Sequence, residues 1–342
     1  MGKQTLIDIA AAMVAPGRGI LAADESTSTI GKRLASINTE SSEANRRAYR
    51  ELLFTAAGLE QYISGVILYD ETIRQATTAA TPFAELLASK GILPGIKVDT
   101  GAHELAGFAG ETVTEGLDGL RERLHEYVEL GARFAKWRAV IHIDKAAGRP
   151  TAGAVEVNAH ALARYAALCQ EVGIVPIVEP EVLMDGSHDL ATCEAATAKT
   201  LTSLFAQLRA QRVALEGIVL KPNMVVSGKT CPEQASVDEV AQATVRVFRR
   251  LVPVAVPGIA FLSGGQSPQM ATAHLQAMND LGPLPWEMTF SYGRALQETA
   301  LAAWHGQPDR VADGQQALLL RARLNSAARS GTYGVAMESG PG

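Results

Sequence analysis

GIVPIVEPE (residues 173–181), LATCEAATAKTLTSLFAQLRAQ (190–211) and EGIVLKPN (216–223) stand in succession: a short apolar run, a segment of helical period, and a second short apolar run. Both runs are too continuously apolar for a strand with one wet face, so each reads as a strand buried on both sides, as in parallel sheets covered by helices. The pattern extends in both directions. Before it lie GILAADE (19–25), ISGVILYD (63–70), ILPGIKVD (92–99) and FAKWRAVI (134–141); after it come GIAFLSGG (258–265) and WEMTFSYG (286–293). Helical segments at 40–58, 117–132, 155–173 and 236–251 fill most intervals, commonly with Gly or Pro at their ends. Eight alternations of strand and helix predict an α/β fold, a (β/α)8 TIM barrel, over a doubly wound sheet, which usually has fewer strands. The 342 residues show no composition break or linker. A single barrel domain over 1–330 with an N-terminal helix is expected, followed by a flexible C-terminal tail over 331–342.

Composition narrows the function. Hydrophobic residues make up 47% of the chain and charged ones 20%, as in ordinary folded proteins, and 31 Lys plus Arg against 36 Asp plus Glu leave a net charge of -5. That balance gives no general attraction to nucleic acid or to an anionic membrane. Apolar stretches stop well short of the roughly 20 residues a membrane span needs, and MGKQTLIDIAAAMVAPGRG (1–19) reads as an amphipathic helix, not a signal sequence, so a cytoplasmic protein is expected. Cys169, Cys193 and Cys231 are odd in number and scattered, which argues for reduced, buried thiols instead of a disulfide framework or a zinc site. The seven histidines show no HExxH or HxH spacing and are expected mostly on exposed helices and loops, so no metal is assigned. GxSxG and GxGxxG are absent.

The informative feature is where each apolar run turns polar, which is almost always its C-terminal end: Asp24, Asp70, Lys97, Lys136 with Arg138, Glu179 with Glu181, Lys221, Ser263, and Ser291 with Arg294. In a parallel barrel those ends share one face, so these groups are expected around a common mouth. Lys221 follows an uninterrupted apolar run and precedes Pro222. A buried ammonium costs several kcal/mol, and the free amine it can yield attacks carbonyls; the bland alternative is a lysine that ends a strand and snorkels to water. Lys136 and Arg138 are two apart, hence on one strand face, where they can favour an uncharged Lys221 and hold anionic groups.

Asp24, directly after GILAA, needs a partner such as Lys136 or Lys221. Glu179-Pro180-Glu181 reads as a solvated turn when taken alone, or as an acid and base within reach of the lysine. SGGQSP (263–268) precedes a helical stretch and offers backbone N–H groups and a hydroxyl suited to a phosphate, with Arg294 to complete the site, although it lacks the Lys of a nucleotide P-loop. At the opposite edge of the mouth, ESTSTIGKR (25–33) supplies Ser26, Thr29, Lys32 and Arg33 as a second phosphate cluster, which together imply a bisphosphate ligand.

GILAADEST, GIKVDTG, AKWRAV, GIVPIVEPE, LKPNMV, FLSGGQS and SYGRALQ, seven motifs in order over residues 3–330, together resemble the class I fructose-1,6-bisphosphate aldolases. The resemblance implies a (β/α)8 barrel, usually a homotetramer, that splits fructose 1,6-bisphosphate reversibly into dihydroxyacetone phosphate and glyceraldehyde 3-phosphate with neither metal nor cofactor. It implies Lys221 as the Schiff-base lysine, Glu179 as principal acid and base, Asp24 orienting lysine and substrate hydroxyls, and Lys136 assisting carbinolamine and proton-transfer steps. Ser263, Gly264, Gly265 and Arg294 would hold the 1-phosphate, Ser26, Thr29 and Lys97 would approach the 6-phosphate, and Arg33, Arg138 and Glu181 would support the site. Two departures stand out. The chain ends TYGVAMESGPG, with Tyr333 its last tyrosine, where animal members close on a tyrosine implicated in enamine protonation. Ser28 and Thr29 replace a Gly-Ser pair, Thr29 keeping the hydroxyl.

Two other readings are separable by assay. A transaldolase-like imine-forming lyase would need no second phosphate cluster, and a catalytically silent barrel scaffold would tolerate loss of Lys221.

Overall fold

Eight parallel strands close on themselves in chain order: β1 (Gly19–Ala23), β2 (Ile63–Leu68), β3 (Leu93–Lys97), β4 (Phe134–Ile141), β5 (Val175–Val182), β6 (Val219–Leu220), β7 (Gly258–Phe261) and β8 (Glu287–Tyr292). The computed structural model describes residues 3–339. Every one of the eight apolar runs becomes a barrel strand, and the five helical segments become Glu43–Thr55, Leu120–Glu129, Ala152–Val172, Leu190–Ala210 and Val237–Leu251. Side-chain oxygens fix several helix starts. Ser42, Thr151, Asp189, Ser236 and Ser267 each accept an N–H from the first helical turn, and Ser236 with Glu239 forms a reciprocal capping box.

The barrel interior is filled in layers. Leu6, Ala10 and Met13 of the N-terminal helix Lys3–Met13 plug the floor, packing with Ile20, Ile67, Phe134, Val175 and Val219 from the strands. Phe134 is accommodated because β3 carries Gly95 beside it: a Cβ there would come within 2.2 Å of the ring.

Strand parity then carries the inward face up to the mouth, since residues two apart point the same way. Ala22 leads to Asp24, Gly95 to Lys97, Phe134 to Lys136, Ile177 to Glu179, and Val219 to Lys221. Each sequence alternates filler with function.

Three features differ from the expectation. First, β6 is only two residues long, because Pro222 has no N–H to continue a ladder; Lys221 is nevertheless held in register, its N–H donating to Val178 O at 2.8 Å. Second, a two-stranded antiparallel hairpin, Gly101–Glu104 with Thr112–Glu115, sits between β3 and β4. Thr114 ties it down by donating its hydroxyl to Arg138 O at 2.7 Å. Third, the stretch from 331 to 339 is anchored. A short 3-10 helix spans Val335–Ser339, and Glu338 accepts from the buried Arg321 at 2.6 and 2.8 Å. Arg321 also donates to Pro268 O, at the start of helix Pro268–Asn279, at 2.9 Å. The last residues of the expected tail, 340–342, lie outside the described residues.

Candidate active site

Most of the singled-out side chains converge; Asp70 does not, its carboxylate accepting from Arg74 and from the Tyr127 hydroxyl away from the cavity. Asp24, Ser26, Thr29, Arg33, Lys97, Lys136, Arg138, Glu179, Glu181, Lys221, Ser263, Gly264, Gly265 and Arg294 line one cavity of about 440 Å³ at the C-terminal ends of the strands. Lys32 is exposed and does not line it. The convergence has a simple origin. A parallel barrel presents all its strand ends to one mouth, and the alternation of the strands decides which residue at each end faces inward.

At the centre, four charged side chains stack almost without solvent contact. Lys136 Nζ lies 2.7 Å from Asp24 Oδ2, within the range of a strong charge-assisted hydrogen bond. Burial opposes charge on both, but their attraction wins. Lys136, with Lys221 behind it, holds the Asp24 carboxyl well below the usual carboxylate range, while Asp24, Glu179 and Asp99 hold Lys136 protonated above the ordinary lysine value.

Glu179 is placed differently. It stands between the two lysines, 3.4 Å from Lys221 Nζ and 3.5 Å from Lys136 Nζ, and its Oε2 has no hydrogen-bond partner among the described residues. Both contacts are longer than a well-formed ionic hydrogen bond. Lys136 is therefore firmly claimed by a carboxylate and Lys221 only loosely. This asymmetry separates two lysines that are equally buried, each 4% exposed. The solvated turn expected of Glu179-Pro180-Glu181 taken alone does not form: both carboxylates are buried within β5, Glu181 binding Arg138.

Around this centre runs a ring of cations. Arg33 pairs with Glu25, Lys97 with Asp99 at 3.0 Å, Arg138 with Glu181, and Lys229 with Asp185 at 2.8 Å. Arg294 has no carboxylate within 4 Å among the described residues. It stands beside the SGG turn, where Gly264 and Gly265 adopt left-handed conformations at φ +59° and +88°. Their N–H groups make no backbone hydrogen bond among the described residues. Consecutive amides freed in such a turn make an anion-binding concavity.

The second cluster is placed by helix Thr27–Ala35, whose N-cap Ser26 hydroxyl lies 3.1 Å from those of Ser28 and Thr29. It is not at the opposite edge from Arg294. β1 pairs with β8, so the loop after β1 adjoins the one after β8, and Arg33 and Arg294 line a common recess. The expected barrel already implies this adjacency, because closing the ring brings the first and last strands together.

Several contributors escaped the sequence reading. Glu25 bridges Arg33 and the buried Arg50, the latter at 2.7 Å, and accepts from Gln297 at 2.9 Å. Its adjacency to Asp24 was a faint signal, but its partners are remote in sequence. Asp99 sits two residues beyond Lys97 and accepts the Arg138 N–H at 3.2 Å, and Lys229 lies in a loop with no strand-end pattern to mark it. Tyr333 does not line the cavity; its hydroxyl donates to Glu338, and burial followed by that bond pushes its pKa up to about 12. Cys169 and Cys193 are buried as expected, whereas Cys231 is only half-buried.

Of the histidines, 103, 125, 160 and 305 are exposed, but His188 and His274 are buried. His274 links helix Pro268–Asn279 to the SGGQS loop: Nδ1 lies 2.6 Å from Gln266 Oε1, which makes Nδ1 the donor. Burial lowers its pKa to about 4. An unfolded histidine binds its proton near 6.5, so between pH 6.5 and 4 the unfolded chain holds more protons and stability falls as pH falls, by up to about 3 kcal/mol. Urea midpoints at pH 7 and 4.5 should drop more steeply for the wild type than for His274→Gln; equal slopes would remove His274 from the acid response.

A closed eight-stranded barrel with a buried lysine, carboxylates and a cation-ringed mouth defines an enzyme of the (β/α)8 class built around lysine chemistry. The family model described as fructose-bisphosphate aldolase class-I matches residues 5–341, and the chain belongs to that family. It is 58% identical over 334 residues to a probable class 1 fructose-bisphosphate aldolase of Xanthomonas axonopodis pv. citri, covering 97% of this chain and 99% of the relative. It is 54% identical over 339 residues to cytoplasmic isozyme 2 of the pea (Pisum sativum) enzyme, covering 98% and 94%. Among solved structures it superposes on the Plasmodium falciparum aldolase, seen in a complex with TRAP and a small-molecule inhibitor, with a TM-score of 0.96, 48% identity, and coverage of 97% and 95%.

Proposed function

We propose that this chain catalyses the metal-independent, reversible cleavage of fructose 1,6-bisphosphate to dihydroxyacetone phosphate and glyceraldehyde 3-phosphate through an imine on Lys221, serving glycolysis and gluconeogenesis. The observation that carries the reading is the unequal pairing of the two buried lysines: Asp24 holds Lys136 at 2.7 Å, while Lys221 has only Glu179 at 3.4 Å. Lys136 stays a cation, and Lys221 is the amine free to react.

Lys221 passes a proton to Glu179 and attacks the C2 ketone; the carbinolamine oxygen takes protons and leaves as water, giving a protonated imine. Lys136 stabilises the developing oxygen charge, and Asp24 orients both the lysine and the substrate hydroxyls. Glu179 then accepts the 4-hydroxyl proton, the C3–C4 bond breaks, and its electron pair moves into the imine to form an enamine. The aldehyde departs, C3 is protonated, and water releases the ketone from Lys221. Ser263, Gly264, Gly265 and Arg294 hold the 1-phosphate; Ser26, Thr29 and Lys97 approach the 6-phosphate; Arg33, Arg138 and Glu181 support the rim. The chain acts as one barrel domain through residue 330 with 331–342 as its tail, in a cytoplasmic homotetramer, with no cofactor, nucleic acid or membrane partner. Among the described residues no helix is long and apolar enough to cross a membrane.

The test is aldol cleavage of fructose 1,6-bisphosphate with and without a chelator, beside fructose 6-phosphate. Turnover of the bisphosphate unchanged by chelation, with the monophosphate a poor substrate, is the expected result. Activity abolished by the chelator, or equal turnover of both sugars, overturns the reading.

A further inference from the structure

The geometry points to Lys229 as a substrate-affinity determinant: with Arg294 it forms a two-cation clamp over Gly265 that takes the phosphate nearest the imine carbon, an inference that rests on the aldolase reading above. The placement is direct. A Cβ built on Gly265 would lie 3.2 Å from Lys229 Nζ and 3.7 Å from Arg294 Nη1, so both cations border the space above this turn. Among the described residues the amides of Gly264 and Gly265 have no hydrogen-bond acceptor there, and neither carboxylate nor backbone carbonyl claims Arg294. A phosphate dianion set on the turn would meet N–H donors from below and a guanidinium and an ammonium from the sides.

Lys229 is not a wandering surface side chain. Its own N–H donates to Met184 O at 2.7 Å, flanked by Gly228 N–H to His188 O at 2.8 Å and Thr230 N–H to Gly186 O at 3.0 Å, so three successive amides zip its loop to the one after β5. Asp185, on that second loop, accepts from Lys229 Nζ at 2.8 Å and holds the ammonium at the cavity. An ammonium has three donors, and Asp185 occupies one, leaving two for a phosphate. Asp185 is also a competitor, because an exposed carboxylate beside the clamp offsets part of its attraction for anions.

The enzyme run in the synthetic direction separates the two phosphates, since dihydroxyacetone phosphate supplies carbons 1 to 3. Lys229→Gln should raise KM for dihydroxyacetone phosphate about tenfold, and the inhibition constant of inorganic phosphate by a similar factor. KM for glyceraldehyde 3-phosphate and kcat should stay within about twofold. Lys229→Arg should restore most of the affinity, and Asp185→Asn should tighten inorganic phosphate about two- to threefold. Unchanged KM for dihydroxyacetone phosphate in Lys229→Gln, or an equal rise for both triose phosphates, overturns the clamp while aldol activity persists; absence of that activity in the wild type would instead overturn the aldolase reading.

Discussion

Lys221→Met should lower kcat/KM for fructose 1,6-bisphosphate by roughly five orders of magnitude or more while leaving the protein folded. The expected loss is that large because in the proposed mechanism the amine supplies the bond through which every later step passes: without an imine there is no electron sink for the C3–C4 pair. Methionine keeps most of the side-chain bulk. The change also removes one of the two buried cations beside Glu179 but leaves the other, so Glu179 keeps Lys136 at 3.5 Å and Lys136 keeps Asp24 at 2.7 Å. Borohydride added with dihydroxyacetone phosphate should fix a secondary amine on the wild-type peptide bearing Lys221 and none on the variant, read by peptide mass. A variant that cleaves within tenfold of wild type, or a wild-type adduct on the peptide bearing Lys136 instead, would show that the wrong lysine has been assigned.

That assignment illustrates how far the sequence could be read. The strands were legible because a buried parallel strand has to be apolar throughout, and the site because each run ends in a side chain that cannot stay buried unpaired. From Phe134 to Lys136 or Val219 to Lys221, a two-residue period suffices to say which end group faces inward. What stayed hidden depends on contacts made across the ring. Asp24 required a cation, and both Lys136 and Lys221 qualified until the barrel put Lys136 against it. Glu179-Pro180-Glu181 resembles a turn because local propensity does not register that β4 and β5 pair over eight residues and seal both carboxylates. Glu25 left only a faint signal beside Asp24, since Arg33 and Arg50 reach it from two different helices, and Lys229 belongs to a loop placed by hydrogen bonds to another loop.

The position of Glu179 between two buried lysines gives the second large effect, and it has two components that can be measured apart. Glu179→Gln preserves shape and removes the charge. Under the proposed mechanism Glu179 accepts the proton of Lys221 and then that of the 4-hydroxyl, so its loss should reduce kcat by roughly 10²- to 10⁴-fold, with KM changed far less because the proposed phosphate contacts lie elsewhere. Its charge also offsets Lys136 and Lys221, both nearly sealed from solvent, so the substitution leaves only Asp24 and the more weakly coupled Asp99 to balance two cations. Breaking a buried ionic cluster by removing one partner costs about 3–5 kcal/mol. The apo variant should therefore unfold at lower urea than wild type. The double variant Glu179→Gln with Lys221→Met, having lost one buried charge of each sign, should recover part of that stability while remaining inactive. A single variant with wild-type kcat would assign the proton transfers to another group. A double variant no more stable than Glu179→Gln would mean that Lys221 and Glu179 do not interact across their 3.4 Å separation in the folded protein.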